Sequence, residues 1–135
     1  RTTGDTHGFW DRARLEQIVS NLFDNAQKYA PGPLEIDIDG SDDLVRLSVR
    51  DHGPGIAPEA FPRLFLRFAR AHAPDDTRGF GLGLWIVSQL AAHHGGSVRA
   101  EAPDDGGMRF VVTLPRGAVL SRENETPIHQ PAPLP

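Results

Sequence analysis

Apolar residues recur at helical spacing in two long segments of the chain. In the first segment, the apolar positions are Leu15, Ile18, Val19, Leu22, Ala26 and Tyr29. This spacing predicts a helix that Asp11 can cap and that the Pro-Gly-Pro sequence at 31–33 ends. In the second segment, the apolar positions are Leu84, Ile86, Val87, Leu90 and Ala91. The second helix ends at the His-His-Gly-Gly sequence.

Apolar and polar residues alternate in four further segments, which predict two β-hairpins. Residues 34–39 and 44–50 are joined by a Gly-Ser-Asp-Asp turn, and Val45, Leu47 and Val49 share one face. Residues 97–102 and 108–115 are joined by Pro-Asp-Asp-Gly-Gly. Two hairpins interleaved with helices predict a mixed sheet with helices stacked on one face.

The remaining segments have weaker patterns. Residues 6–10 form a possible short strand, and a short helix is expected from Pro58 through the Leu-Phe-Leu-Arg-Phe sequence. The polar loop that follows, at 69–79, has no apolar anchor and is expected to be mobile. We expect residues 1–116 to form one domain and the proline-rich residues 117–135 to be disordered.

Composition narrows the functional classes. The chain has 135 residues, of which 39% are hydrophobic, enough for one core. With 14 basic and 18 acidic residues its net charge is −4, so a nucleic-acid surface is not expected. The absence of cysteine excludes disulfides, thiolate nucleophiles and cysteine zinc sites. No apolar run reaches the roughly 20 residues that cross a bilayer. We expect a cytoplasmic piece of a longer protein, without direct membrane contact.

Polar residues on one edge of the first helix are the first candidate site. Asn21, Asn25 and Lys28 lie at i, i+4 and i+7 and therefore line one side of the helix. Such a stripe usually means a solvated face. However, asparagine is a poor helix former, and amide oxygens beside an ammonium group suit a hydrated Mg²⁺ ion and a polyphosphate.

Two glycine-rich segments are the other candidates. The Asp-His-Gly-Pro-Gly-Ile sequence at 51–56 places a carboxylate at a strand end, where glycines allow close approach to a flat ligand. The alternative is an ordinary glycine turn that Asp51 caps. Gly79, Gly81 and Gly83 directly precede the second helix, where open amides at a positive dipole end can hold phosphate. The alternative there is a flexible hinge.

Five segments together resemble the catalytic ATP-binding domain of sensor histidine kinases. In chain order they are NLFDNAQKYA, DHGPGI, LFLRF, GFGLGLWIV and GGMRFVVTLP. The resemblance extends from about Trp10 to Pro115. It implies an α+β fold, the α/β sandwich called the Bergerat ATP-binding fold, with a mixed sheet of about five strands packed against three helices.

The resemblance implies a role for each motif. Asn25 would bind Mg²⁺ with Asn21 beside the phosphates, Lys28 would pair with a phosphate, and Tyr29 would lie near the ribose or adenine. Asp51 would accept a hydrogen bond from the exocyclic amine of adenine. The implied catalytic residues are Asn21, Asn25 and Lys28. The remaining implied nucleotide-binding residues are Gly53, Gly55, Ile56, Phe68, Arg70, Arg78, Gly79, Phe80, Gly81, Leu82, Gly83 and Leu84.

The phenylalanine motif of the family packs the base of a mobile lid, and the chain has matching residues in Phe65 and Phe68. The lid would span residues 69–78 and could bring arginines to the triphosphate. Two features depart from the family pattern. Phe80 stands where the family mostly has a small residue, and the lid carries two aspartates, at 75 and 76.

The reaction expected from the resemblance is phosphoryl transfer to histidine. Hydrolases of the same fold usually carry a glutamate one turn before the Mg²⁺ asparagine, where this chain has Asn21, which cannot act as a general base. None of the six histidines stands in the family's acceptor context, and His93 and His94 are expected to stabilise a helix end. The implied partners are a histidine-containing dimerisation domain and a response regulator receiver domain. The alternatives are an anti-sigma-type serine kinase and a non-catalytic regulatory module of the same fold.

Overall fold

The computed structural model describes residues 1–68 and 82–117, and five strands of this part form one mixed sheet. The strands are β1 (Thr2–Thr3), β2 (Glu35–Gly40), β3 (Leu44–Arg50), β4 (Ser97–Glu101) and β5 (Arg109–Pro115). Their order across the sheet is β1-β2-β3-β5-β4. Strand β1 runs parallel to β2, and all other neighbours are antiparallel. Both predicted hairpins are confirmed, and they meet where β3 pairs with β5.

Two α-helices, α1 (Arg12–Tyr29) and α2 (Gly83–His93), pack against each other beside the sheet. The Asp11 carboxylate accepts a hydrogen bond from the Arg14 amide at 3.1 Å and caps α1 as predicted. The largest fully buried side chains are Ile18, Leu22, Val87 and Val112. The core thus packs one face of each helix against β5. This packing places the edge of α1 that carries Asn25 next to Asp51, at the end of β3.

The prediction of a strand at residues 6–10 is wrong. The strand that pairs with β2 is Thr2–Thr3, and the segment after it is irregular. Its backbone carbonyls bond to a side chain instead of a neighbouring strand: the Arg116 guanidinium donates to His7 O at 2.7 Å and to Asp5 O. The Trp10 indole N–H also donates to Pro115 O, at 2.8 Å, so this segment is tied to the end of β5.

The short helix expected from Pro58 is a 3₁₀ helix, Pro58–Arg63, and does not continue through the phenylalanine motif. Pro62 lies inside it and has no amide hydrogen to donate, which disfavours a longer α-helix. The sheet is therefore accompanied by two α-helices and this 3₁₀ helix within the described ranges. None of the helices in those ranges is long and apolar enough to cross a membrane. The predicted lid and all but the first residue of the predicted tail lie outside the described residues.

Candidate functional site

Asp51 directly follows β3, and its carboxylate is held in one orientation. The residue is 6% exposed. Its Oδ1 atom accepts hydrogen bonds from the amides of Gly53 at 3.0 Å and Met108 at 3.1 Å. Its own amide donates to Met108 O at 2.9 Å, which extends the β3–β5 pairing by one step. Within residues 1–68 and 82–117, both hydrogen bonds to the carboxylate end on Oδ1, which leaves Oδ2 for a ligand.

A small pocket lies beside this carboxylate, between the last turn of α1, the loop after β3 and the start of β5. Its lining residues are Asn25, Tyr29, Ala30, Asp51, Pro54, Gly55, Ile56, Met108 and Phe110. A mostly apolar wall with a few oriented polar groups is the usual composition of a small-molecule site. The structure thus brings together five of the predicted residues: Asn25, Tyr29, Asp51, Gly55 and Ile56.

Four lining residues, Ala30, Pro54, Met108 and Phe110, were not among the predicted site residues. Met108 is 2% exposed and lies opposite Asp51, one step beyond the register pair of Arg50 and Arg109. The GGMRF sequence that contains it belongs to the motif set, but its place in the site depends on which strands pair. No local sequence pattern predicts that β3 pairs with β5. For this reason the sequence did not identify Met108 and Phe110 as lining residues of the pocket.

Two glycines allow the loop after β3 to approach α1. A Cβ atom on Gly53 would lie 2.3 Å from the Cβ of Ala30, so no larger residue fits between the loop and the end of α1. Gly55 has a φ of +77°, a backbone conformation that favours glycine. This packing brings Asp51 beside the polar edge of α1, whereas the close approach of these glycines to a flat ligand stays a prediction.

That polar edge contains a side-chain amide with no hydrogen-bond partner among residues 1–68 and 82–117. Asn21 and Asn25 are both half-buried and lie one turn apart, and Lys28 is exposed farther along α1. The Nδ2 atom of Asn21 is buried, and it has no hydrogen bond within the part of the chain that the structure describes. Such a group costs about 1–3 kcal/mol when it is left unsatisfied. A polar ligand at this edge would remove that cost.

Three further residues predicted to bind the nucleotide lie at the N-terminus of α2, namely Leu82, Gly83 and Leu84. Leu82 is the N-cap and makes no side-chain capping bond, and the first turn has no acidic residue. A Cβ atom on Gly83 would meet no atom of the described residues within 4 Å, and Leu84 follows half-buried. An uncapped helix start of this kind is suited to an anion. None of these three residues lines the pocket beside Asp51.

The phenylalanine motif is divided between core and surface. Phe65 packs edge-on against Phe110 with ring centroids 6.3 Å apart, so it supports the pocket wall from behind. Phe68 is 59% exposed and does not line the pocket. The Arg67 guanidinium lies 5.1 Å from the ring centre of Phe68 and 5.0 Å from that of Trp85, which connects the motif to α2. The predicted residues Arg70, Arg78, Gly79, Phe80 and Gly81 lie outside the described residues.

The paired histidines at the end of α2 serve packing. His94 is 8% exposed, and its Nδ1 lies 2.8 Å from Leu90 O while its Nε2 accepts from the Asp11 amide at 3.3 Å. This ring joins the end of α2 to the start of α1. Burial, together with the positive charge of Arg14, lowers the pKa of His93. The predicted interaction of His93 with the helix dipole stays a prediction.

Comparison with known proteins decides the family. The model of the histidine kinase-, DNA gyrase B- and HSP90-like ATPases matches residues 10–118. The chain belongs to this ATPase family. The family match confirms the resemblance drawn from the five motifs.

Similar members of the ATPase family are sensor histidine kinases. The sensor histidine kinase component HK1 of Mycobacterium tuberculosis is 40% identical over 105 residues, which are 78% of this chain and 62% of that protein. The histidine-protein kinase AfsQ2 of Streptomyces coelicolor is 38% identical over 111 residues, 82% of this chain and 21% of that protein. The chain therefore spans less than two thirds of the length of these curated relatives.

Solved structures of histidine kinases share the fold. The catalytic domain of histidine kinase ThkA matches with a TM-score of 0.74 at 29% identity, covering 85% of this chain and 76% of that one. Full-length ShkA in complex with AMPPNP matches with a TM-score of 0.64 at 33% identity, covering 87% of this chain and 26% of that one. These neighbours confirm the predicted α+β Bergerat fold.

Proposed function

We propose that the chain is the catalytic domain of a two-component sensor histidine kinase that binds ATP in the pocket beside Asp51. The domain donates the γ-phosphoryl group to a histidine on a separate dimerisation domain, for relay to the receiver domain of a response regulator. The single observation that carries the proposal is the buried Asp51 carboxylate, which is held through Oδ1 in the lining of a largely apolar pocket. The names of the relatives support it, and so does the AMPPNP complex of ShkA. The domain acts in the cytoplasm, where ATP is available.

Asp51 selects adenine through Oδ2, the oxygen that has no hydrogen bond within residues 1–68 and 82–117. Gly53 and Met108 occupy Oδ1, so Oδ2 accepts from the exocyclic amine of adenine. Guanine carries a carbonyl at that position, which repels a carboxylate and offers no donor. Ile56, Met108 and Phe110 supply apolar surface against which the base packs.

The polar edge of α1 serves the phosphates. The amide oxygen of Asn25 is a suitable Mg²⁺ ligand because this ion prefers oxygen and completes its shell with water and substrate phosphates. Within the described ranges no group of three or more acidic or histidine side chains could hold a metal ion. Substrate phosphates and water are common Mg²⁺ ligands beside one or two protein oxygens. Mg²⁺, when bound, neutralises charge on the phosphates. Asn21 donates its unsatisfied amide to a phosphate oxygen, and Lys28 pairs with another.

Transfer to an external nucleophile is favoured over hydrolysis. A water molecule attacking the γ-phosphate needs a base, and the side chain of Asn21 cannot accept a proton at neutral pH. The acceptor must therefore arrive with another domain, positioned next to the terminal phosphate. This arrangement assigns the domain the role of phosphoryl donor within a longer kinase.

Replacing Asn25 with alanine is expected to abolish the dependence of nucleotide affinity on Mg²⁺. Titration of the wild type with AMPPNP by calorimetry should give a Kd that is at least about tenfold lower with Mg²⁺ than without, or about 1.4 kcal/mol. The Asn25→Ala variant should bind equally with and without the ion. Alanine is the better helix former, so α1 is not weakened by the change. The Gln27→Ala variant, exposed on the same helix, is the matched control and should retain the Mg²⁺ effect.

No binding of AMPPNP by the folded wild type would contradict the kinase proposal and favour the regulatory module. If the wild type bound AMPPNP equally well with and without Mg²⁺, the role of Asn25 as a Mg²⁺ ligand would be contradicted. The proposed role of Asp51 in binding adenine would not be affected.

Incubation with ATP labelled in the γ-phosphate is expected to leave this chain unlabelled. The buried ring of His94 is committed to Leu90 and Asp11, and none of the histidines stands in the acceptor context of the family. Label should appear only after addition of the dimerisation domain of the parent kinase, and it should be acid-labile, as phosphohistidine is. Stoichiometric label on the chain alone would contradict the assignment of the acceptor to another domain.

A further inference from the structure

Arg50 is a buried cation on the strand that ends at Asp51, and it bonds to the turn between β4 and β5. The residue is 9% exposed. Its Nη2 atom lies 2.5 Å from Asp105 Oδ1 and donates to Gly106 O at 3.3 Å, and the hydrogen bond lowers the pKa of the Asp105 carboxyl. The Nη1 atom lies 3.7 Å from Glu35 Oε2 on the neighbouring strand. The guanidinium group thus joins the end of β3 to the turn at Asp105 and Gly106, which lies beyond the last register pair of β3 and β5.

The turn held by Arg50 continues directly into the groups that orient Asp51. Two residues after Asp105, a Cβ atom on Gly107 would lie 2.1 Å from Asp51 O, so the two backbones are in contact there. One residue farther, the Met108 amide donates to Asp51 Oδ1. Gly107 O also lies beside Gly55, since a Cβ atom on Gly55 would be 3.5 Å from it. Only two residues, Gly106 and Gly107, therefore separate Asp105 of the ion pair from Met108, whose amide donates to the Asp51 carboxylate.

The burial of Arg50 points to positioning rather than to stability. Its Nε atom is buried and has no hydrogen-bond partner in the described part of the chain, an arrangement that costs free energy. Its carboxylate partner Asp105 is 78% exposed at the side chain, and an exposed partner returns little stability. Glu35 is shared with His52, whose Nε2 lies 3.6 Å from Glu35 Oε1. What the contacts of this group provide is a link between the end of β3 and the turn.

We infer that Arg50, through its ion pair with Asp105, is a positioning residue that holds the Met108 amide against Asp51 and thereby sets the selectivity of the pocket for adenine. Arg50 itself does not line the pocket and is not expected to contact the nucleotide. The inference rests on the proposed function, because selectivity for adenine presupposes that Asp51 reads the exocyclic amine. It adds a residue outside the five motifs to the determinants of the site.

The first test measures selectivity in the full chain. ATP and inosine triphosphate, which replaces the amine with a carbonyl, are titrated by calorimetry into the wild type and the Arg50→Gln and Asp105→Asn variants. In each variant the preference for ATP over inosine triphosphate should fall about tenfold, chiefly through weaker ATP binding. The double variant should lose no more than Arg50→Gln alone, since that single change already breaks the contact with Asp105. The Arg50→Lys variant, which keeps a charged donor, should recover part of the preference.

The second test needs no nucleotide. Amide hydrogen exchange at Met108 and Gly53 should be at least about tenfold faster in Arg50→Gln and Asp105→Asn, with exchange at Val112 in the middle of β5 unchanged. The matched control is Glu101→Gln, which breaks the 3.4 Å pair between Arg109 and Glu101 in the same sheet but leaves the turn alone. It should change neither selectivity nor exchange at Met108.

The outcomes separate the inference from the proposed function. Equal losses of affinity for both nucleotides, or unchanged exchange at Met108, would overturn the positioning role while ATP binding by the wild type stands. A wild type that does not prefer ATP over inosine triphosphate would overturn the adenine-reading role of Asp51, and the inference with it. Because Asp105 is largely exposed, the Asp105→Asn variant keeps the test decisive even where Arg50→Gln fails to fold.

Discussion

The Asp51→Asn variant is expected to bind ATP about 100-fold more weakly than the wild type, a loss of about 3 kcal/mol. The Gly53 and Met108 amides both donate to one oxygen of the side chain, and only the carbonyl oxygen of asparagine can accept from them. The amide nitrogen must then take the place of Oδ2, where it presents hydrogens to the amine of adenine. A charge-assisted hydrogen bond is thus replaced by two opposed donors.

The same geometry predicts a reversal of base preference. Inosine triphosphate presents a carbonyl where adenine has its amine, and the new amide can donate to it. Competition titrations should therefore show the variant preferring inosine triphosphate to ATP. The control is Asp39→Asn on β2, an exposed aspartate far from the pocket lining, which should leave both affinities unchanged. Equal weakening of both nucleotides in a folded Asp51→Asn protein would show that Asp51 supports the pocket but does not read the base.

Local sequence patterns were sufficient for the elements whose stability is local. The periodic apolar residues of α1, its Asp11 cap and the alternation in β3 each arise from neighbours along the chain, and the structure confirms them. The strand expected at residues 6–10 fails for the opposite reason. Its backbone partner is the side chain of Arg116, more than 100 residues away, and no local pattern encodes that contact.

The residues of the candidate site also fall into two groups, those that local motifs identify and those that only long-range contacts place there. Asn25, Tyr29 and Asp51 belong to motifs whose spacing is visible in the sequence, and they line one pocket. Met108 and Phe110 line the pocket because β5 pairs with β3. The alternating patterns predict each hairpin by itself, but they do not predict that the two hairpins pair with each other. Arg50 was missed because a buried arginine in a strand reads as an ordinary outward-facing polar residue. Its partner, Asp105, lies in a turn whose composition predicts only a turn.

The Gly107→Ala variant is expected to lose about 3 kcal/mol of unfolding free energy and to bind ATP poorly. Gly107 is buried with a φ of +74°, where an L-residue pays about 1–2 kcal/mol. The added methyl group would lie 2.1 Å from Asp51 O and 2.9 Å from the carbonyl carbon, so backbone must move on one side. Forced movement of packed atoms costs about 1–3 kcal/mol more. Urea unfolding followed by circular dichroism measures the total.

The neighbouring Gly106 separates backbone strain from the clash. It also has a positive φ, +101°, but a Cβ atom on it would meet nothing within 4 Å. The Gly106→Ala variant should therefore lose only the strain, about 1–2 kcal/mol, and keep its affinity for ATP. If the two alanine variants were equally stable and bound ATP equally, contact between Gly107 and Asp51 would not shape the site. We expect the unfolding free energies of the two variants to differ by about 1–3 kcal/mol, which is the cost of the steric clash between the added methyl group and Asp51.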